Sequence, residues 1–421
     1  MDYTGKKLLL LGGSKPYIKL AKAAKGMGID VIVVDQHKNE EIIPYADTYL
    51  QLSLLDSEGI GSWCEEHHVD GIINFCVDFA QRTYQKLCER FDLPCCYNKH
   101  QVDLLANKTL FKKMLAECGL NTINSYSIDD INEDRVKYPI IIKPSESSGS
   151  RGATTCKDKN EAMIAAKKAM DESRSGDIII EEYIKDAQEV QITYFLCHGN
   201  TYVIRTADSY EGNKEDGLER VVACSISPSR YTDIYFNGTH DAVLKMVEKL
   251  GLHDGPFFMQ GFFHENEFKF FDPGCRFPGV DFDSIYNIEY NIDIAKMMVC
   301  YSLTGEMPDL NIPTDMWKLN GKMAAVLFPV MKPGIISEVN GLETLSNNPN
   351  VFSISRRHII GDEISYTYDV NQRYGEFDVI ADDLPGLKDN IENIQNILNV
   401  KNACGDEMIY SHFDVKRIVH N

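Results

Sequence analysis

Asp272 and Arg276 stand four residues apart in the segment Phe268-Lys-Phe-Phe-Asp-Pro-Gly-Cys-Arg-Phe-Pro-Gly279. An apolar run ends there in a carboxylate, and a Pro-Gly turn then releases a guanidinium. A carboxylate at a strand end can hold a hard cation through oxygen, and a neighbouring arginine can grip a phosphate or carboxylate. Upstream, Lys143 closes another apolar run and enters a small-residue loop that includes Ser147, Ser148, Gly149, Ser150, Arg151 and Gly152. Backbone N–H groups and hydroxyls of such a loop can fold over phosphate oxygens beside a fixed positive charge. It is not a Walker A loop, because the lysine comes first and no G-K-[ST] follows. An exposed Ser/Gly turn is the alternative for the loop alone.

A third stretch, Ile178-Ile-Ile-Glu-Glu-Tyr-Ile184, brings Glu181, Glu182 and Tyr183 to a strand exit, with Glu189 following Ile184. A purine needs backbone donors and acceptors along one edge, and a ribose needs a carboxylate that accepts from its hydroxyls. Singly, these acids read as solvated; their order gives them meaning. If the hairpin that contains Phe268 turns at Glu265 to Glu267, Gln260 lies directly across from Asp272 on one face.

The elements that must position these groups are legible in pattern. Leu8 to Leu11 and Asp30 to Asp35 read as buried strands around Gly12-Gly13-Ser14 and a helix from Pro16 to about Met27, a parallel doubly wound unit. Gly12-Gly13 lacks the G-x-G-x-x-G spacing, so a dinucleotide site with Asp35 is the weaker reading of that turn. Asn107 caps a helix from Lys108 to Cys118. Strands follow at Tyr138 to Lys143, Asp177 to Glu182, Glu189 to Leu196, Thr201 to Arg205 and Val221 to Ser225. A loop is expected from Asp208 to Arg220, a single helix from Asn287 to Leu303, and further strands at Lys322 to Phe328, His358 to Ile360 and Glu376 to Ala381.

In order, Lys108, Lys143 with its loop, the Glu-Glu-Tyr-Ile exit with Glu189, and Gln260/Asp272 with Arg276 resemble the ATP-grasp superfamily. More narrowly the chain resembles carbamoyl-phosphate-synthase-like and L-amino-acid-ligase-like carboxylate–amine ligases, and Leu327-Phe-Pro-Val-Met-Lys-Pro-Gly-Ile335 is similar to the latter group. The resemblance implies an α/β ATP-grasp fold: an N-terminal Rossmann-like domain (1–103), a small lid subdomain (104–184), a main subdomain with the metal and transfer site (185–310) and a C-terminal α+β domain (311–421). It also implies that Lys108 and Lys143 contact ATP phosphates and that Ser147 to Gly152 close over them. Glu181 to Ile184 would border adenine, Glu189 the ribose, and Phe271 the adenine floor. Arg276 would steady the transferring group.

One or two Mg²⁺ ions would sit at Gln260 and Asp272. Here the chain departs from the family pattern, with an amide at the first ligand position and Gly274 where an asparagine is usual. Asp281 and Asp283 could supply missing charge or bind a substrate amine. The implied reaction converts a small carboxylate, an amino acid for instance, into an acyl phosphate that an amine attacks, releasing ADP and phosphate. Carboxyphosphate chemistry from bicarbonate and a non-catalytic ATP-binding protein are the alternatives.

Across 421 residues, 43 Lys+Arg against 63 Asp+Glu leave a formal charge of −20, which disfavours general binding to nucleic acid or anionic membranes. The 12 cysteines include no C-x-x-C pair, and no signal-peptide pattern opens the chain, so reduced thiols and a cytoplasmic home are expected. His67, His68 and His264 lack ligand-spaced partners for zinc, and Cys275 reads as packing. The expected partners are a small-molecule carboxylate and amine, and the resemblance allows a homodimer.

Overall fold

Four short apolar runs near the N-terminus pair into one parallel sheet, in the order Thr48–Gln51, Asp30–Asp35, Lys7–Leu11, Gly71–Ile73. The computed structural model describes residues 2–38, 40–145, 152–173, 175–216, 218, 221–367 and 370–419. Leu8 to Leu11 and Val31 to Val34 are almost wholly buried, as expected of strands covered on both faces. The helix Pro16–Gly26 starts with a proline, and Gly28, at φ +76°, takes the left-handed turn that ends it. A helix at Ser57–His67 was not foreseen, because Gly59 and Gly61 dilute its apolar stripe; the Asp56 side chain caps it by accepting from the Gly59 N–H at 2.9 Å.

Asn107 caps the helix Lys108–Glu117, accepting from the N–H groups of Thr109 and Leu110. A four-stranded sheet follows, in the order Ser125–Tyr126, Ile178–Glu182, Ile140–Pro144, Thr154–Cys156. One face packs Ile140, Ile142 and Ile180 against the alanines of helix Lys159–Glu172, a small core of its own. The period of two turns Lys143 and Glu181 to the other face.

The rest of the chain is built on a nine-stranded sheet. Strands Gln188–Cys197, Asn200–Glu211, Val222–Ser227, Gly255–His264 and Glu267–Gly274 form its centre and one flank. Met323–Leu327, Gly375–Ala381 and Val351–Arg356 extend it on the other flank. The C-terminal residues thus pack a core of their own yet continue the central sheet through main-chain pairing.

Three local expectations are corrected. The expected 208–220 loop begins later, since Asp208 is still in strand and pairs with Ile226. The strand placed at His358 to Ile360 is instead Val351–Arg356. The expected Asn287–Leu303 helix is two helices, Ser284–Tyr290 and Ile294–Thr304, separated where Asn291 turns left-handed (φ +55°) and Asp293 caps the second. Among the described residues no helix is long and apolar enough to cross a membrane.

Candidate functional site

The hairpin of Gln260 and Asp272 reaches its expected register by an unexpected route. Its turn is only Glu265 and Asn266, both at positive φ, as a two-residue hairpin turn demands. His264 therefore pairs with Glu267 and Gly261 with Phe270. An extra residue, Phe271, then bulges out and sets Gln260 opposite Asp272. At the bulge only glycine fits at 261, since a Cβ there would lie 2.8 Å from the Lys269 carbonyl oxygen. Gln260 pairs on its other side with Gln191, so Gln191, Gln260 and Asp272 form one rung across three strands. Gln191 accepts from Arg205 Nη1 at 3.4 Å, while Arg205 Nε and Nη2 each donate at 2.9 Å to Ser227 and Ser225.

Three lysines converge beside this rung. Lys108 Nζ lies 3.6 Å from Asp272 Oδ1. One helical turn later, Lys112 Nζ is 2.8 Å from Glu181 Oε1, and Lys143 Nζ reaches Glu181 Oε2 at 3.3 Å. Glu181 is 2% exposed. Burial alone would raise its carboxyl, but the Lys143 and Lys112 ammoniums overcome this and hold it below the usual range. Burial lowers the Lys143 ammonium, with Glu181 opposing and Lys108 adding repulsion. Burial also raises the Asp272 carboxyl, against the pull of Lys108. Crowded lysines around a reluctant acid suit a polyanion that brings its own countercharge.

The residues expected to border a nucleoside are less uniform. Glu189 lies two residues before Gln191 on the same face; burial, and then Glu211, push its carboxyl up to about 7. The Phe271 and Phe262 rings lie 4.9 Å apart, tilted by 31°, as an apolar floor. Glu182 accepts from the N–H of Asn124 at 3.1 Å and from its side-chain amide at 2.7 Å, with Lys269 at 3.5 Å, and so ties the four-stranded sheet to the hairpin. Tyr183, partly exposed, donates its backbone N–H to Pro139, and Ile184 is half-buried. Ser147, Ser148, Gly149, Ser150 and Arg151 lie outside the described residues; Gly152 is an exposed turn residue at φ +67°.

Arg276 is fixed from the short 3-10 turn Asp78–Ala80 that follows the N-terminal sheet. Its Nε sits 3.0 Å from Asp78 Oδ1, and its guanidinium lies 4.9 Å over the Phe258 ring. The next residue, Phe277, donates its N–H to the Phe75 carbonyl at 2.9 Å. Asp281 and Asp283 are buried rather than solvated, and both bind Lys19, so neither supplies charge to the Gln260/Asp272 pair. Asp35 accepts from the Gly13 N–H at 2.8 Å and from the His37 N–H and ring, which makes it a brace of the first turn. Burial pushes the Cys275 thiol well up, in keeping with packing.

Sequence reasoning missed Lys112, Gln191, Arg205 and Asp78. Two signals were available: Lys112 is i+4 from Lys108 on a helix, and Gln191 is i+2 from Glu189 on a strand. Arg205 and Asp78 become visible only when distant strands are assembled.

Residues 107–235 match the model of the carbamoyl-phosphate synthase L chain, ATP binding domain. A formate-dependent phosphoribosylglycinamide formyltransferase of Prochlorococcus marinus is 24% identical over 277 residues, 62% of this chain and 68% of its own. The corresponding protein of Sulfurisphaera tokodaii is 26% identical over 256 residues, 58% and 64%. The alignments thus span about two thirds of these relatives. An L-amino acid ligase from Bacillus licheniformis superposes at TM-score 0.75 with 17% identity, covering 95% of this chain and 99% of that one. The biotin carboxylase domain of a Hydrogenobacter thermophilus 2-oxoglutarate carboxylase, in complex with MgADP, superposes at 0.75 with 17% identity, covering 96% and 91%. Such low identities speak for the fold. The fold is of the α/β ATP-grasp type, and the matched segment is similar to an ATP binding domain over those residues alone.

Proposed function

We propose that the chain is an ATP-dependent carboxylate–amine ligase that activates a small carboxylate as an acyl phosphate and passes it to an amine, releasing ADP and phosphate. The observation that carries this reading is the placing of Lys108 on Asp272 of the Gln260/Asp272 rung, with Lys112 and Lys143 gathered on Glu181 beside it. A carboxylate is too poor an electrophile for an amine, so its oxygen must first be given a leaving group. Phosphoryl transfer asks mainly for positioning and charge neutralisation, which these side chains supply.

Lys143 and Lys108 orient the phosphates, and Glu181 keeps Lys143 and Lys112 in place until they arrive. Glu189, once ionised, accepts from the ribose hydroxyls, and Phe262 with Phe271 supports the base. Arg276, braced by Asp78, faces the developing charge on the transferred group. The oxygens of Gln260 and Asp272 fit Mg²⁺, which when bound would neutralise phosphate charge; Asp272, buried and raised, is a carboxyl that a cation would ionise. With one carboxylate in the pair, ATP itself would provide most of the remaining ligation.

The test is ADP release with ATP, Mg²⁺ and pooled carboxylates and amines. Release that needs both an organic acid and an amine supports the reading. Release with bicarbonate alone would replace it by carboxyphosphate chemistry. ATP binding without turnover across the screen would leave a nucleotide-binding protein.

A further inference from the structure

The loop that follows Arg276 enters a buried cluster of four carboxylates and two cations. Lys19 Nζ binds Asp281 at 2.6 Å and also binds Asp283. Ser353 donates to Asp281 Oδ2 at 2.7 Å, and the Asp281 N–H donates to Glu376 at 2.9 Å. Asp378 is Ser353's partner across the sheet. It is 0% exposed, and neither carboxylate oxygen has a hydrogen-bond partner among the described residues. The second cation, Arg205, is 4% exposed and donates to Ser225, Ser227 and Gln191, all neutral. Lys19 is therefore shared by two acids, and among the described residues no cation bonds directly to Asp378, although Arg205 and Lys19 pull on its carboxyl from nearby. A fully buried carboxyl without a partner is costly, so a site that retains one has a use for it.

A cavity of about 600 Å³ adjoins the cluster, lined by Lys15, Lys19, Asp281, Ser284, Ser353 and Arg356 among others. The cluster also borders the reaction corner: Lys19 lies 4.9 Å over the Phe75 ring, which sits 4.6 Å from the ring of Phe277, the neighbour of Arg276.

We propose that Asp378 and Glu376, directly behind Ser353 and Asp281 of this cavity's lining, form a recognition site for a primary ammonium group of a small-molecule ligand. The way Asp281 and Asp283 clasp the Lys19 ammonium shows the chemistry the second acid pair would repeat. A divalent metal suits the cluster less well: among the described residues only Asp35, His37 and Glu40 bring three ligand atoms within 4.8 Å of one another. Burial, then Glu376 and Asp281, push the Asp378 carboxyl well above the usual range, and an arriving ammonium would draw it back down. Identifying that ammonium as the substrate amine rests on the ligase reading; the site itself does not.

The experiment is calorimetric titration of the full chain, without nucleotide, with 1,4-diaminobutane and with 1,4-butanediol as the uncharged match. The diamine is expected to bind and the diol not. Asp378→Asn and Glu376→Gln, both neutral isosteres, should each weaken the diamine at least about ten-fold. Lys143→Ala should leave diamine binding unchanged while weakening ATP roughly thirty-fold, which separates failure of this site from failure of the ligase reading. Equal binding of diol and diamine, no diamine binding, or affinity untouched by both acid variants would overturn the proposal. Binding of Mg²⁺ that Asp378→Asn abolishes would overturn it in favour of a metal.

Discussion

Gln260 and Asp272 face each other across the hairpin because one residue, Phe271, bulges out of the strand between the turn and the pair. That rung holds one carboxylate and one amide. Replacing Gln260 by glutamate adds a second negative oxygen ligand at the same place. The concentration of Mg²⁺ for half-maximal ATP turnover should fall about ten-fold in Gln260→Glu, read from a Mg²⁺ titration at fixed ATP. No change would mean that Gln260 does not touch the metal.

Lys143 and Lys112 share a carboxylate, Glu181, that is nearly inaccessible to water. Lys143→Ala removes a phosphate contact and is expected to weaken ATP by ~2 kcal/mol, roughly thirty-fold, in a direct binding titration. Lys112→Ala should weaken it less and show itself mainly as lost stability, because a buried acid then loses half its partners.

The same pair gives a signed pH dependence. Glu181 titrates below its ordinary value in the folded chain, so its contribution is present above the unfolded value and is lost as pH falls through the depressed one. Glu181→Gln should be less stable than the parent near neutrality and should lose that deficit in acid. Urea midpoints taken from pH 3 to 7 read this directly, and a constant gap across the range would contradict it.

Glu189 behaves the opposite way. With its carboxyl near 7, raised by burial and Glu211, its ionisation costs stability as pH rises through that value. A ribose hydroxyl donates better to the ionised acid, so ATP affinity should climb several-fold between pH 6 and 8 and lose that slope in Glu189→Gln. Isothermal titration at three pH values suffices. A slope that survives in the variant removes Glu189 from the ribose.

Arg276 bonds to Asp78, in the turn that follows the N-terminal sheet. Arg276→Ala should lower kcat about a hundred-fold with ATP binding nearly unchanged, the pattern of a group that acts on the transferring charge. Asp78→Asn should give a smaller loss of the same kind. A change confined to ATP affinity would reassign the arginine.

The parts of this site that were legible in sequence are those set by local pattern. Asn107, Lys143 and Glu181 were found because a cap, a strand end and an apolar run ending in acid are short-range signals. The Gln260–Asp272 pairing was inferred from a longer turn without a bulge, and two offsets of one residue cancelled; period and turn chemistry alone do not reveal a bulge. Arg205 and Asp78 escaped because only the assembled sheets bring them to the site. The joining of Gly375–Ala381 to Met323–Leu327 and so to the central sheet is likewise non-local, and the run of short strands from 313 onward suggested a separate body. The two glycines of Ser57–His67 concealed a helix that its Asp56 cap could have disclosed.

The central claim is acyl-phosphate formation, and oxygen transfer tests it most directly. With carboxylates labelled with oxygen-18, ATP, Mg²⁺ and an amine pool, the account predicts one labelled oxygen in each phosphate released with ADP, and no release from Lys143→Ala. Phosphate released without label, or ADP formed at the same rate without any carboxylate, would contradict it.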